Sequence, residues 1–133
     1  MMLKIIIQHA LISAVLASTA ALIYNTIYSS GMDVNFSTLL NAKGIIGASV
    51  FGCVLMSIAY HVSYKWKGAK GIGISSILIA AISFASIVGV VGFKLPLKIQ
   101  NPELFPGLAI PMHFFPAMAF FCIAPFFKVE ESV

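Results

Sequence analysis

The sequence contains no arginine, and its eight lysines stand against only four acidic residues, so that 9% of the 133 residues are charged. A soluble domain carries about 25%, and a disordered chain needs low hydrophobicity with high charge; both classes are excluded. Nucleic-acid binding is excluded as well, because the net charge of +4 is not clustered on an otherwise polar surface. The two cysteines, Cys53 and Cys122, have no CxxC spacing and read as small apolar residues rather than a disulfide or a metal pair. There is no Gly-x-Ser-x-Gly elbow, phosphate loop or pair of carboxylates, and Gly71-Ile72-Gly73 is too short to cradle phosphate. No enzymatic activity is expected.

What the chain has is apolar length. Hydrophobic residues make up 60% of it, and the mean hydropathy is +1.03. Four uninterrupted apolar runs, at about 5–28, 44–64, 71–93 and 107–127, each reach the length of about 20 residues that crosses a bilayer core. None contains Asp, Glu or Lys; every charge falls in a tail or a connection. The expected fold is all-α, an integral-membrane four-helix transmembrane bundle formed by a single domain over 1–133. A proton-coupled or cation-exporting transporter needs an ionisable group at the membrane midplane, which argues against a small four-helix multidrug exporter. The same absence argues against a charge-ring channel.

Four crossings place both termini on one side. If that side is cytoplasmic it holds Lys4, Lys65, Lys67, Lys70 and Lys128, against Lys43, Lys94 and Lys98 outside, and the positive-inside rule favours this N-in, C-in orientation. Tyr24, Tyr28, Tyr60 and Tyr64, near span ends, with Trp66 beside the lysines, suit an interfacial aromatic belt. A rival reading exists for the first run. Lys4, the stretch 5–16 and Ser18-Thr19-Ala20 also fit the n, h and c regions of a secretory signal cleaved after Ala20. Apolar sequence continuing to Tyr24 favours a span. Asn35-Phe36-Ser37 is a glycosylation sequon, meaningful only in a eukaryotic secretory pathway.

Helices in lipid approach closely over small residues, so Gly44, Ala48 and Gly52, and likewise Ala81, Ala85 and Gly89, are expected to form bundle contacts or a dimer interface. Two polar stripes, His9-Ser13-Ala17 and Ser49-Cys53-Ser57-His61, follow four-residue spacing and should face the bundle interior. They are expected to hydrogen-bond between helices or to line a water path. Pro111, Pro116 and Pro125 interrupt the last run and leave carbonyls near Gly107 and Met112 in need of partners. Phe114, Phe115, Phe120, Phe121, Phe126 and Phe127 suit a wall facing lipid or a partner.

At about 1.5 Å of rise per residue, His9 and His61 share a level near the inner face, while His113 lies on the order of 15 Å away along the membrane normal. A three-histidine metal site is thereby excluded, and no metal or cofactor is expected. Haem held between His9 and His61 is geometrically allowed. His113 shares an outer level with Asn25 and Ser49, and these three form the candidate ligand site.

The stretch Leu95-Pro96-Leu97 and the run from Asn101-Pro102-Glu103-Leu104-Phe105-Pro106-Gly107 to Met112-His113-Phe114-Phe115-Pro116-Ala117 resemble a group of small uncharacterised bacterial membrane proteins with four spans. Looser likeness covers Tyr24, Asn25 and 47–60. The resemblance implies an architecture and a bacterial inner-membrane location, and no site or activity. Within that segment Glu103 lies in sequence near Lys94 and Lys98, an exposed pairing that contributes about 0–1 kcal/mol. Leu104 and Phe105 would form a short re-entrant lid over Asn25 and His113. The expected role is an accessory or structural subunit of a membrane assembly, with a membrane-protein partner or a second copy of the chain. The alternative is a binding or transport module for a neutral or lipid-like ligand, and a b-type haem protein comes third.

Overall fold

The structure is a computed structural model that describes residues 1–127; Lys128, counted above with the inner face, and the rest of the tail lie outside the described residues. Three long helices make up the fold: α1 (Met2–Met32), α2 (Ala42–Gly92) and α3 (Phe105–Ile123), with 3-10 turns at Pro102–Leu104 and Ala124–Phe127. All three regions are long and apolar enough to cross a membrane. The expected four-helix bundle is corrected to three helices, because the second and third runs join in one 51-residue element. The sequence between them, Lys65 to Lys70, reads as a loop by its charge, yet lysine is a good helix former and helical bonding continues up to and beyond it. Only Gly68 leaves the helical region, at φ 56°, ψ −138°, a conformation of type II′ turns that strongly favours glycine.

This break divides α2 into a first arm, 42–67, and a second arm, 69–92, and the second folds back along the first. A Cβ at Gly71 would overlap the Ser63 carbonyl, so the reversal needs glycine there as well. Ile79 of the second arm packs with Tyr60 of the first, Phe120 and Ala117. Farther on, Val90 packs with Val34, Phe36, Phe105 and Leu108. These clusters define the two ends of the molecule.

The connection 33–41 is ordered by its own sequence. Asp33 closes α1 in the left-handed region at φ 52°, which Asp tolerates better than most residues. The Asn35 side chain accepts the Ser37 N–H at 2.9 Å in an Asx turn, while Phe36 is buried edge-on against Phe105 at 5.3 Å. Asn41 then caps α2, its Oδ1 accepting from the Gly44 N–H at 2.8 Å, as Asn does at this position.

α1 runs through Ala20 without a break, and Ala10, Ala14, Ala17 and Ala21 along one side are all buried. Ala14 and Ala17 meet Cys53 of the first arm. This alanine face supplies the close helix contact expected of small residues in lipid. The anticipated stripe Ala81, Ala85, Gly89 faces outward instead, and Gly71, Ser75, Ile79 and Val90 are the residues the second arm buries.

Candidate functional site

Polar side chains inside an apolar bundle are costly without partners; the buried Ser18 hydroxyl has none among the described residues, and the other polar groups gather at two places. At the first, His9 and His61 are essentially inaccessible, at 0% and 2% exposure, and their rings meet directly with Nδ1 of His9 3.1 Å from Nε2 of His61. Nε2 of His9 lies 3.1 Å from the Phe120 carbonyl oxygen. A carbonyl only accepts, so Nε2 of neutral His9 carries the proton, its Nδ1 accepts, and His61 donates through Nε2–H. Ser57 adds a hydroxyl bond to the Ile6 carbonyl at 2.8 Å, and Ser13 one to the His9 carbonyl at 2.7 Å. Both polar stripes therefore face inward as expected. They carry interhelical and local hydrogen bonds that join α1, the first arm and α3.

Haem does not fit this arrangement. Axial imidazoles must leave space for an iron and its macrocycle, whereas these two nitrogens are in direct contact. Phe120 and Phe127 lie parallel to the His9 ring at 4.0 and 4.9 Å, and Tyr60 meets it edge-on at 5.9 Å. The aromatic box corrects the reading of Phe120 as part of an outward wall: it is fully buried. No signal in the sequence separated Phe120 from the other phenylalanines of that run. Among the described residues no cluster of three or more His, Cys, Asp or Glu could hold a metal.

The second place is a cleft of about 800 Å³, partly open to the surroundings, between the two arms and α3. It exists because the second arm is anchored at Ile79 and Val90 and buries nothing in between. Facing that gap are Gly44, Ala48 and Gly52, too small to fill it. The small-residue stripe anticipated as a contact surface is thus mainly the wall of a cavity. Only at Gly52 does α3 come close, a Cβ there standing 3.8 Å from Cβ of Pro116.

Ser49 and His113 line the cleft together with Ser83 and Ser86, while α1 contributes Ala21 to the lining and Asn25 is not part of it. The candidate trio is therefore brought together in two members, with the half-buried Asn25 one turn of α1 beyond Ala21. Ser83 and Ser86 were missed because serines in a span so often bond their own helix. They do so here: Ser83 donates to the Ile79 carbonyl at 2.9 Å and Ser86 to the Ser83 carbonyl at 2.6 Å.

Above the cleft, the prolines of α3 are answered by tyrosines of α1. Pro111 deprives the Gly107 carbonyl of its helical donor, and the Tyr24 hydroxyl donates to it at 2.8 Å. Tyr28 donates to the Leu104 carbonyl at 2.7 Å. The segment 102–107 is thereby strapped to α1 with Phe105 buried, rather than dipping as a free lid over Asn25 and His113. Glu103 makes no ion pair among the described residues. Comparison with protein-family models, curated proteins and solved structures gives no match.

Proposed function

We propose that this chain is a protein of the bacterial inner (cytoplasmic) membrane that crosses it four times and holds an uncharged, lipid-like ligand in the lateral cleft, without catalytic chemistry. The cleft is the observation that carries this reading. Its size falls within the about 300–1,000 Å³ of small-molecule sites, which combine apolar walls with a few placed polar groups. Among the described residues its lining contains no Asp, Glu, Lys or Arg.

Four crossings are supported by the reversal at Gly68. Each arm of α2 extends about 36–39 Å at helical rise, against a hydrocarbon core about 30 Å thick. Lys4, Lys65, Lys67 and Lys70 flank the end marked by the histidine pair, and Lys43, Lys94 and Lys98 the end marked by Phe36 and Phe105. Positive-inside bias then favours both termini in the cytoplasm. Trp66, 80% exposed beside Lys65 and Lys67, suits the headgroup level.

The test is retention of lipid through mild-detergent extraction, read by native mass spectrometry. Wild type should carry one bound small molecule, and Ala48→Phe, which fills the cleft from its wall, should lose it. Equal retention in the two proteins would refute the reading.

A second reading, the accessory subunit, rests on one observation: Ala81, Ala85 and Gly89 are exposed, with nothing within 4 Å of a Cβ at Gly89. Small residues at this spacing invite a partner helix. A membrane protein in stoichiometric yield with wild type but lost with Ala85→Leu would support it. A protein that stays monomeric and alone in both cases would remove it.

A further inference from the structure

The cleft's polar groups are unequal in what they offer, and that inequality selects a ligand. Ser83 and Ser86 have spent their hydroxyl hydrogens on the carbonyls of their own helix, so toward the cleft they present lone pairs. Pro116 has no N–H, and the Met112 carbonyl one turn before it has lost its helical donor. Met112 and Pro116 both line the cleft, and a helical carbonyl points toward the residue four positions on, so this acceptor belongs to the stretch of α3 that borders the cleft. Ser49 is 4% exposed, and its hydroxyl makes no hydrogen bond among the described residues. His113, as the neutral imidazole, supplies one donor and one acceptor. Acceptors therefore predominate, in walls without a cation, where an unpaired acceptor is costly.

We infer that the cleft selects a long-chain amphiphile whose headgroup is an uncharged hydroxyl, donating its one hydrogen to the Met112 carbonyl and accepting from the Ser49 hydroxyl, while its chain lies against Gly44, Ala48 and Gly52. This rests on the ligand-binding role proposed above and narrows it. A phosphate headgroup would meet lone pairs without a fixed positive charge, and an ether or ester, which can accept from Ser49 or His113 but cannot donate, would leave the Met112 carbonyl unpaired. Each leaves polar groups unpaired in an apolar site, the arrangement that discriminates most strongly between otherwise similar ligands.

The experiment uses the full chain in lipid nanodiscs and three probes with one diazirine-bearing sixteen-carbon chain: the alcohol, its methyl ether and the alkyl phosphate. Crosslinked peptides are mapped by mass spectrometry. The alcohol should label residues of the first arm and α3 around the cleft several-fold more than the ether or the phosphate. Pro116→Ala returns a donor to the Met112 carbonyl without closing the cleft, and it should shrink that preference, as should Ser49→Ala. Equal labelling by alcohol and ether, or a preference untouched by both substitutions, would overturn the inference while leaving a ligand in the cleft. Phosphate labelling that is strongest and lost in His113→Ala would also overturn it. Cleft labelling by none of the probes would overturn the binding role itself.

Discussion

Replacing the two buried histidines in a double-mutant cycle tests the polar centre of the bundle. His9→Phe keeps a flat ring between Phe120 and Phe127 but removes both nitrogens, so the bonds to His61 and to the Phe120 carbonyl vanish together. His61→Leu removes only the first. Interhelical polar contacts in membranes contribute about 0.6 kcal/mol on average and up to about 1.7. His9→Phe should therefore cost about 1–3 kcal/mol, His61→Leu about half as much, and the double variant less than the sum by the shared bond, about 0.6–1.7 kcal/mol. Reversible unfolding in mixed micelles of mild detergent and SDS, followed by circular dichroism, measures all four proteins. Additivity within about 0.3–0.5 kcal/mol, the spread of independent sites, would show that the histidines do not bond to each other.

Gly68→Ala should destabilise the reversal of α2 by about 1–3 kcal/mol because its φ/ψ is unfavourable for a side chain, and Gly71→Ala more, since its Cβ meets the Ser63 carbonyl; the same unfolding assay reads both, and wild-type stability in either would contradict the turn. Tyr24→Phe should cost about 0.5–1.5 kcal/mol by removing the one bond to the proline-freed Gly107 carbonyl, and the cost should fall in a Pro111→Ala background, where a helical donor returns. An undiminished cost there would assign the effect of Tyr24 to something other than that carbonyl. Single cysteines at Trp66 and Asn35, in a Cys53→Ala, Cys122→Ala background, should react with an impermeant maleimide from opposite faces of the membrane, the first from the cytoplasm only; labelling of both from one face would refute the orientation.

The features legible in the sequence are those that a bilayer penalises if misplaced. His9 and Ser13 on α1, and Ser49, Ser57 and His61 on the first arm, cannot sit in hydrocarbon without partners, so their spacing alone turned them inward, and the structure buries all five. Small residues carry no such penalty. Ala81, Ala85 and Gly89 suit a helix contact or a lipid surface equally, and the alanine face of α1 that is buried looks no different in sequence. The turn between the second and third runs was legible as a charged connection over 65–70, but the helical structure that continues through it on either side of Gly68 was hidden by lysine, which serves a helix as well as a loop. Tyr24 and Tyr28 read as interfacial anchors because nothing in α1 indicated which prolines of α3 would lie opposite them. The cleft was least legible of all, being a gap between the anchors Ile79 and Val90, which lie far from most of its walls in the chain.

The most direct measurement is an experimental structure of the full chain in lipid nanodiscs, at a resolution that shows side chains. The expected result is elongated density between the second arm and the wall of Gly44, Ala48 and Gly52, ending in a compact head against Ser49 and the Met112 carbonyl. A second arm collapsed onto that wall, with Ser83 against Ser49 and no space between them, would contradict the ligand-binding role.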